Sequence, residues 1–142
     1  MEAKACNDET AKAENQAKGE LYFRQALNLI IEEERLYILF TIGASCFDTH
    51  NFKLAAQYYE QINRVFPDNA PATYFFLSYC YFYLEEAISC MHNIAKMKHE
   101  LPDAYSNLGT SDSILSDTRF KELMRNLKDS VNNGKVDLDN FL

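Results

Sequence analysis

The alternation of apolar and polar residues predicts an all-α protein. Apolar residues mark one face of a helix from residue 19 to the acidic run Glu32–Glu34. Two further helices are expected over residues 36–66, because the turn-forming run Asp48–Asn51 interrupts an apolar pattern there. The run Tyr74–Leu84 is aromatic on every side, which predicts a central helix with neighbours on both sides.

Two more helices complete the expected domain. Residues 85–98 form the partner of the aromatic helix, with one apolar face made by Ala87, Ile88, Met91, Ile94 and Ala95. After a loop at 110–117, a last helix capped by Ser116 or Asp117 carries Phe120, Leu123, Met124, Leu127 and Val131 at helical spacing. We therefore divide the chain into a polar N-terminal arm (1–18), a helical domain (19–131) that ends at Asn132–Gly134, and a mobile acidic tail (132–142).

The hairpin predicted over residues 36–66 has a pattern typical of a helical repeat. Small residues, Gly43 and Ala55, fall where its two helices would cross, and Pro67 ends the second helix. Larger residues are expected to fill the space around the crossing, namely Leu39, Ile42 and Tyr59. These are signature positions of the tetratricopeptide repeat. A weaker copy places Leu77 34 residues after Gly43 and, with a shortened loop, Ala87 at the position of Ala55, and a third begins near Gly109.

The pattern therefore predicts about two or three stacked hairpins of tetratricopeptide-repeat type with a C-terminal capping helix. The same spacing also occurs by chance in amphipathic helix pairs. At 142 residues and 47% hydrophobic content the chain is expected to form one soluble domain.

Charge and composition exclude several classes of partner. A formal charge of -7 argues against nucleic acid and against an anionic membrane surface. The chain has no apolar run near the ~20 residues that span a bilayer, and no signal peptide, so we expect a cytoplasmic protein without stable membrane insertion. Its four cysteines form no C-x-x-C pair, and Cys46 and Cys80 are expected to be small buried hydrophobes.

The sequence contains no catalytic motif that we recognise. It has no glycine-rich phosphate loop, nucleophile elbow or H-E-x-x-H. Cys90 and His92 are the only close pair of metal-ligand types, and the carboxylates of Glu85 and Glu86 are typical of a solvated helix end. We therefore expect no enzyme activity, no catalytic residue, no metal and no cofactor.

The aromatic residues point instead to protein binding. In a stack of hairpins the first helix of each repeat lines the concave surface. The residues predicted to form this peptide-binding groove are Tyr37, Phe40, Ala44, Phe47, Tyr74, Ser78 and Tyr81. Aromatic rings separated by small residues suit an extended peptide with spaced apolar anchors. The alternative is that several of these rings pack between repeats. A carboxylate clamp is not expected, because Phe40, Ala44, Pro71 and Phe75 occupy the clamp positions.

Three runs make the resemblance more specific. They are Phe40–Cys46 with its Gly-Ala-x-Cys sequence, Phe52–Tyr59 with paired alanines, and Pro71–Cys80. Together they resemble the class II chaperones of bacterial type III secretion, small repeat proteins that hold hydrophobic translocator subunits. Weaker similarity extends to Gly19–Phe23 and Phe120–Leu123. The chain departs from that family in residues 1–18, where the first helix of its first repeat has no clear counterpart.

The resemblance implies a bacterial cytoplasmic, non-enzymatic chaperone, connected with virulence. Its partner would be a hydrophobic secreted or translocator protein, bound through an extended segment and kept soluble until export. Tyr37, Phe40, Phe47, Tyr74 and Tyr81 would form pocket walls, and Ala44 and Ser78 would let the peptide backbone approach. A homodimer is compatible with this role. The alternative function is a small repeat adaptor that stays permanently in an assembly.

Overall fold

The computed structural model describes residues 2–110 and 117–142, and side chains from residue 9 onward. Within these residues the chain contains helices and no β-strand, which confirms the all-α prediction. The α-helices are α1 (Glu2–Asp48), α2 (Phe52–Val65), α3 (Tyr74–Tyr83), α4 (Ala87–Glu100), α5 (Pro102–Asn107) and α6 (Thr118–Asn132). Two 3-10 segments, Pro67–Thr73 and Leu138–Phe141, precede α3 and end the chain. Most of the loop predicted at 110–117 lies outside the described residues.

Helix α1 is a single helix of 47 residues. The expectation of a helix end at the run Glu32–Glu34 was wrong, and the polar arm predicted over residues 1–18 is helical from Glu2 onward. No proline lies between Glu2 and Asp48, and glutamate is a strong helix former, so the acidic run continues the helix. The chain divides into two compact units, residues 1–38 and 39–142, and the boundary falls within α1.

The first hairpin of the second unit crosses where the small residues predicted it. A Cβ atom on Gly43 would lie 3.2 Å from Cε1 of Tyr59, so a larger side chain there would require the Tyr59 ring to shift. Ala55 and Tyr59 are fully buried and Leu39 is buried. Ile42 was predicted to fill the same space, but it is 36% exposed and lies outside the crossing.

The second hairpin repeats the first with a period of 35 residues. Helices α2 and α4 are both 14 residues long, and α4 begins and ends 35 positions after α2 (52 to 87, and 65 to 100). Each helix ends with the same hydrogen bond, from Phe66 N–H to the carbonyl of Ile62 and from Leu101 N–H to the carbonyl of Met97, both at 2.7 Å.

The turns of the two hairpins also match at this period. His50 and Glu85 both adopt a left-handed conformation, with φ of 61° and 59°. The next residue in each turn donates its N–H back to the helix, Asn51 to the carbonyl of Cys46 at 2.8 Å and Glu86 to that of Tyr81 at 2.9 Å. The predicted alignment of Gly43 with Leu77 is therefore off by one residue, and Ala87 corresponds to Phe52 rather than to Ala55.

The aromatic helix α3 lies at the centre of the second unit, as predicted, in contact with α2 and α4. In α4 the predicted face is only partly correct, because Ile94 and Ala95 are buried while Ala87 and Ile88 are exposed. The buried face of α4 also includes Cys90, Asn93 and Met97. The buried face of α4 differs from the predicted one because the 35-residue period places Cys90, rather than Ala87, at the crossing position that Ala55 has in the first hairpin.

Helix α6 and the tail complete the second unit. Asp117 caps α6 as predicted, with its carboxylate accepting from the N–H groups of Arg119 at 2.9 Å and Phe120 at 3.2 Å. The predicted apolar face is confirmed, with Phe120, Met124 and Leu127 buried. Helix α6 ends at Asn132, two residues before Gly134 with φ of 72°. The final 3-10 segment packs on α4, and its Leu138 is 1% exposed, in contrast to the mobile tail that we expected.

Candidate protein-binding surfaces

The seven residues predicted to line a groove are divided between surface and core. Tyr37 and Ala44 are exposed, and Phe40 and Tyr81 are half-buried. Phe47, Tyr74 and Ser78 are buried, with exposed fractions of 6%, 4% and 0%. A peptide lying on the surface cannot contact these last three side chains, so we assign them to the core.

The aromatic residues of the second unit pack against one another. The ring of Phe47 lies 5.2 Å from that of Phe76 and 5.0 Å from that of Tyr79, and Tyr59 stacks on Phe76 at 5.1 Å. Such pairs stabilise a core beyond the burial of their area. The alternative interpretation of the sequence, in which several rings pack between repeats, therefore describes these residues.

Helix α6 covers the aromatic face of α3. The ring of Phe120 lies 6.0 Å from Phe75, 5.1 Å from Tyr79 and 5.5 Å from Phe82. With the 35-residue period, Phe75 and Phe82 are the counterparts of Phe40 and Phe47, two of the groove residues predicted in the first repeat. Sequence reasoning identified α6 as a cover but did not pair Phe120 with these rings.

Three tyrosines of α3 have neutral phenols, and two of them donate hydrogen bonds to carboxylates. The hydroxyl of Tyr81 donates to Oε1 of Glu60 at 2.8 Å, and that of Tyr79 donates to Oδ2 of Asp117 at 3.4 Å. Burial, followed by the neighbouring carboxylate, raises the pKa of Tyr81, Tyr79 and Tyr74. These groups stay protonated at neutral pH, which suits a structural role rather than proton transfer.

Large apolar side chains are exposed along residues 21–38 of α1. They are Leu21, Tyr22, Phe23, Leu27, Leu29, Ile30, Ile31, Tyr37 and Ile38, with exposed fractions from 44% to 71%. We call this set the apolar segment of α1. These side chains lie on several sides of the helix rather than along one stripe, and exposed apolar side chains in this number mark a site of association. The sequence analysis predicted one apolar helix face here, from residue 19 to the run Glu32–Glu34.

Charged residues lie between and beside these apolar side chains. Glu20 and Arg24 lie at the start of the segment, and Glu32, Glu33, Glu34 and Arg35 lie near its end, all of them exposed. Exposed charges of both signs keep a helix soluble while its apolar side chains remain available to a partner.

A small apolar cavity opens at the turn end of the α3–α4 hairpin. Its volume is about 250 Å³, and its walls come from Tyr81, Phe82, Ala87, Cys90, Met91 and Leu123. The carboxylate residues Glu85 and Glu86 also line it, and both are exposed. Burial raises the pKa of the Cys90 thiol to about 11, so the cysteine wall of the cavity is a neutral thiol at pH 7.

Other chemistry is sparse in the part of the chain that the structure describes. It contains no group of three or more His, Cys, Asp or Glu residues placed to hold a metal ion. The ring nitrogen Nδ1 of His92 contacts the carbonyl oxygen of Phe141, which ties the tail to α4. Across residues 2–110 and 117–142, no helix is both long enough and apolar enough to cross a bilayer.

Comparison with protein-family models, with curated proteins and with solved structures finds no match to this chain.

Proposed function

We propose that this chain is a non-catalytic, protein-binding repeat protein that acts as a secretion chaperone in the bacterial cytoplasm. It keeps a hydrophobic secreted client soluble by covering an apolar segment of that client. The observation that carries the proposal is the apolar segment of α1, nine large side chains exposed by 44–71% within 18 residues of one helix.

The arrangement of the hairpins supports a fold of tetratricopeptide-repeat type. The 35-residue period is close to the 34 residues typical of that repeat. The close approach of Gly43 to Tyr59, with Ala55 fully buried, agrees with the small and aromatic signature positions of such a hairpin. Repeat proteins of this kind commonly bind other proteins, which favours binding over catalysis by analogy of fold.

The client is expected on α1 rather than on the aromatic face of α3. That face is covered by Phe120, and Phe47, Tyr74 and Ser78 are buried. Each large side chain contributes ~1.5–3 kcal/mol when it is fully buried. Association itself costs ~4–15 kcal/mol, so two or three contacts would not hold a client. Stable capture therefore requires most of the apolar segment.

The test introduces a negative charge at apolar positions of the segment. The control introduces the same charge at a neighbouring polar position of the same helix. Leu29→Glu and Ile30→Glu place a carboxylate among the apolar side chains, and Asn28→Glu adds the same charge at an exposed polar position of the same helix. Each variant is co-expressed with the products of neighbouring genes, and the readout is the membrane-active secreted protein that the wild-type chain keeps soluble. We expect the first two variants to leave that protein insoluble and Asn28→Glu to keep it soluble, with unchanged circular dichroism for all three.

Two results would overturn the proposal. The first is a client that stays soluble with Leu29→Glu and Ile30→Glu. The second concerns the chain alone, measured by light scattering: if it is a dimer that Leu29→Glu converts to a monomer without loss of client binding, a second copy covers the segment. A purified chain that binds only soluble components of an assembly, equally well in all variants, would favour the adaptor function instead.

A further inference from the structure

The apolar cavity at the turn end of the α3–α4 hairpin has a filled counterpart elsewhere in the chain. With the 35-residue period, the wall residues Phe82 and Ala87 correspond to Phe47 and Phe52 of the first hairpin. The cavity thus lies in the second hairpin where the Phe52 side chain lies in the first. Alanine stands in the second hairpin at the position that phenylalanine holds in the first.

The ring contacts of Phe52 show what this position holds in the first hairpin. Its ring lies 5.8 Å from Phe47, 5.5 Å from His50 and 4.8 Å from Tyr83, on which it stacks. The counterparts of Phe47 and His50 are Phe82 and Glu85, and both line the cavity. Two of the walls around the Phe52 ring therefore recur at the open cavity of the second hairpin, whereas its other ring neighbours, Tyr79 and Tyr83, have no counterpart in that lining.

The size and walls of the cavity suit a phenyl ring from outside the chain. Its volume of about 250 Å³ exceeds the cavity of about 150 Å³ that binds benzene in an engineered protein. The ring of Phe82 offers an aromatic contact, and the thioether of Met91 is a favourable neighbour for an aromatic edge. Leu123 of α6 also lines the cavity.

The charges at the cavity select among aromatic partners. Glu85 and Glu86 replace His50 and Asn51 of the first hairpin, so two exposed carboxylates lie beside the second cavity and none lies at the equivalent positions in the first. A cation next to the bound ring would pair with them, and an anion would be repelled.

We propose that this cavity is a binding pocket for a phenylalanine side chain of a partner protein, with a lysine or arginine next to it in the partner's sequence. The pocket is separate from the apolar segment of α1 and does not depend on the function proposed above.

The pocket can be tested with a small probe that carries both features, 4-fluorophenethylammonium, followed by fluorine NMR on the full chain. Saturable binding is expected. It should weaken for 3-(4-fluorophenyl)propionate, which keeps the ring and reverses the charge, and for cyclohexylethylammonium, which keeps the charge and loses the aromatic ring. Because cyclohexylethylammonium has no fluorine atom, its binding is measured by its displacement of the fluorinated probe.

Variants of the pocket separate specific from non-specific binding. Ala87→Phe restores the ring from within the chain, so we expect probe binding to fall about tenfold or more while the melting temperature rises. Ala104→Phe adds the same ring at an exposed position of α5 and should leave binding unchanged. Glu85→Gln and Glu86→Gln should each weaken binding of the cation about two- to fivefold at low salt and remove its advantage over the anion.

Three outcomes would overturn the proposal. They are the absence of saturable binding to the wild-type chain, equal binding to the wild type and Ala87→Phe, and equal binding of the cyclohexyl and phenyl probes, which would indicate an unspecific apolar site. Since Ala87→Phe leaves α1 untouched, retention of the secreted client by this variant separates the pocket from the function proposed above.

Discussion

The crossing of α1 and α2 gives the sharpest test of the fold. Replacing one hydrogen atom of Gly43 by a methyl group has two opposing effects on stability, one from helix propensity and one from packing. Gly43 is helical and buried, and alanine is better than glycine in a helix by ~1 kcal/mol. In open space, Gly43→Ala would therefore stabilise the protein. The added methyl group, however, would lie 3.2 Å from Cε1 and 3.3 Å from Cζ of Tyr59.

The neighbouring ring has little room to move. Tyr59 is 1% exposed and stacks on Phe76 at 5.1 Å, while Phe40 lies 6.4 Å away on another side. Overpacking of such a core costs ~1–3 kcal/mol. After the helix-propensity gain is subtracted, we expect Gly43→Ala to lower the free energy of unfolding by ~0–2 kcal/mol, where propensity alone would raise it by ~1 kcal/mol.

Urea unfolding followed by circular dichroism measures this difference. The control is Ala44→Gly, which makes the reverse change at the next, exposed position of the same helix. It should lower stability by ~1 kcal/mol from propensity alone. The close crossing would be refuted if Gly43→Ala raises stability by as much as Ala44→Gly lowers it. A further check is Tyr59→Leu, in whose background the penalty of Gly43→Ala should disappear.

Three further predictions concern the second unit. Asp117→Ala should destabilise it by ~1 kcal/mol in thermal unfolding because two N–H groups of α6 lose their acceptor, whereas Asp117→Asn should retain most of the stability. Leu138→Ala should cost ~2–3 kcal/mol in urea unfolding, since this side chain is 1% exposed, and Leu142→Ala at 54% exposure should cost under ~0.5 kcal/mol; equal effects would contradict the packed tail. In a Cys6→Ser background at pH 8, a thiol reagent should modify half-buried Cys46 before Cys80 or Cys90, because burial raises the pKa of the latter two to about 12 and about 11 and suppresses their thiolates; rapid modification of all three would contradict the buried positions.

The function proposed for α1 and the pocket proposed in the second hairpin differ in what they require of the fold. The apolar segment of α1 belongs to the unit of residues 1–38, where all side chains described before Leu36 are exposed. The pocket belongs to the unit of residues 39–142, whose core contains Tyr59, Leu77 and Ile94, each 1% exposed or less. We therefore expect Leu29→Glu to change binding without changing the unfolding of the second unit.

The sequence by itself determined the features that depend on local chemistry. Helix spacing predicted α3 and the apolar face of α6, and turn-forming and capping residues located the turn before Asn51, the cap at Asp117 and the end of α6 near Gly134. Gly43, Ala55 and Tyr59 located the first crossing. Each of these follows from a few neighbouring side chains, so a single sequence contains the information.

The tertiary structure decided the register and the burial. Each residue of shift rotates a helix by about 100°, and the predicted register was off by one residue for Gly43 with Leu77 and by three residues at α4, which moved the predicted face of α4. Periodicity could not separate rings that face a partner from rings that face another helix, so Tyr74 and Phe47 were predicted in a groove and lie in the core. The contact of Phe120 with α3 joins residues about 40 positions apart, which no local pattern specifies.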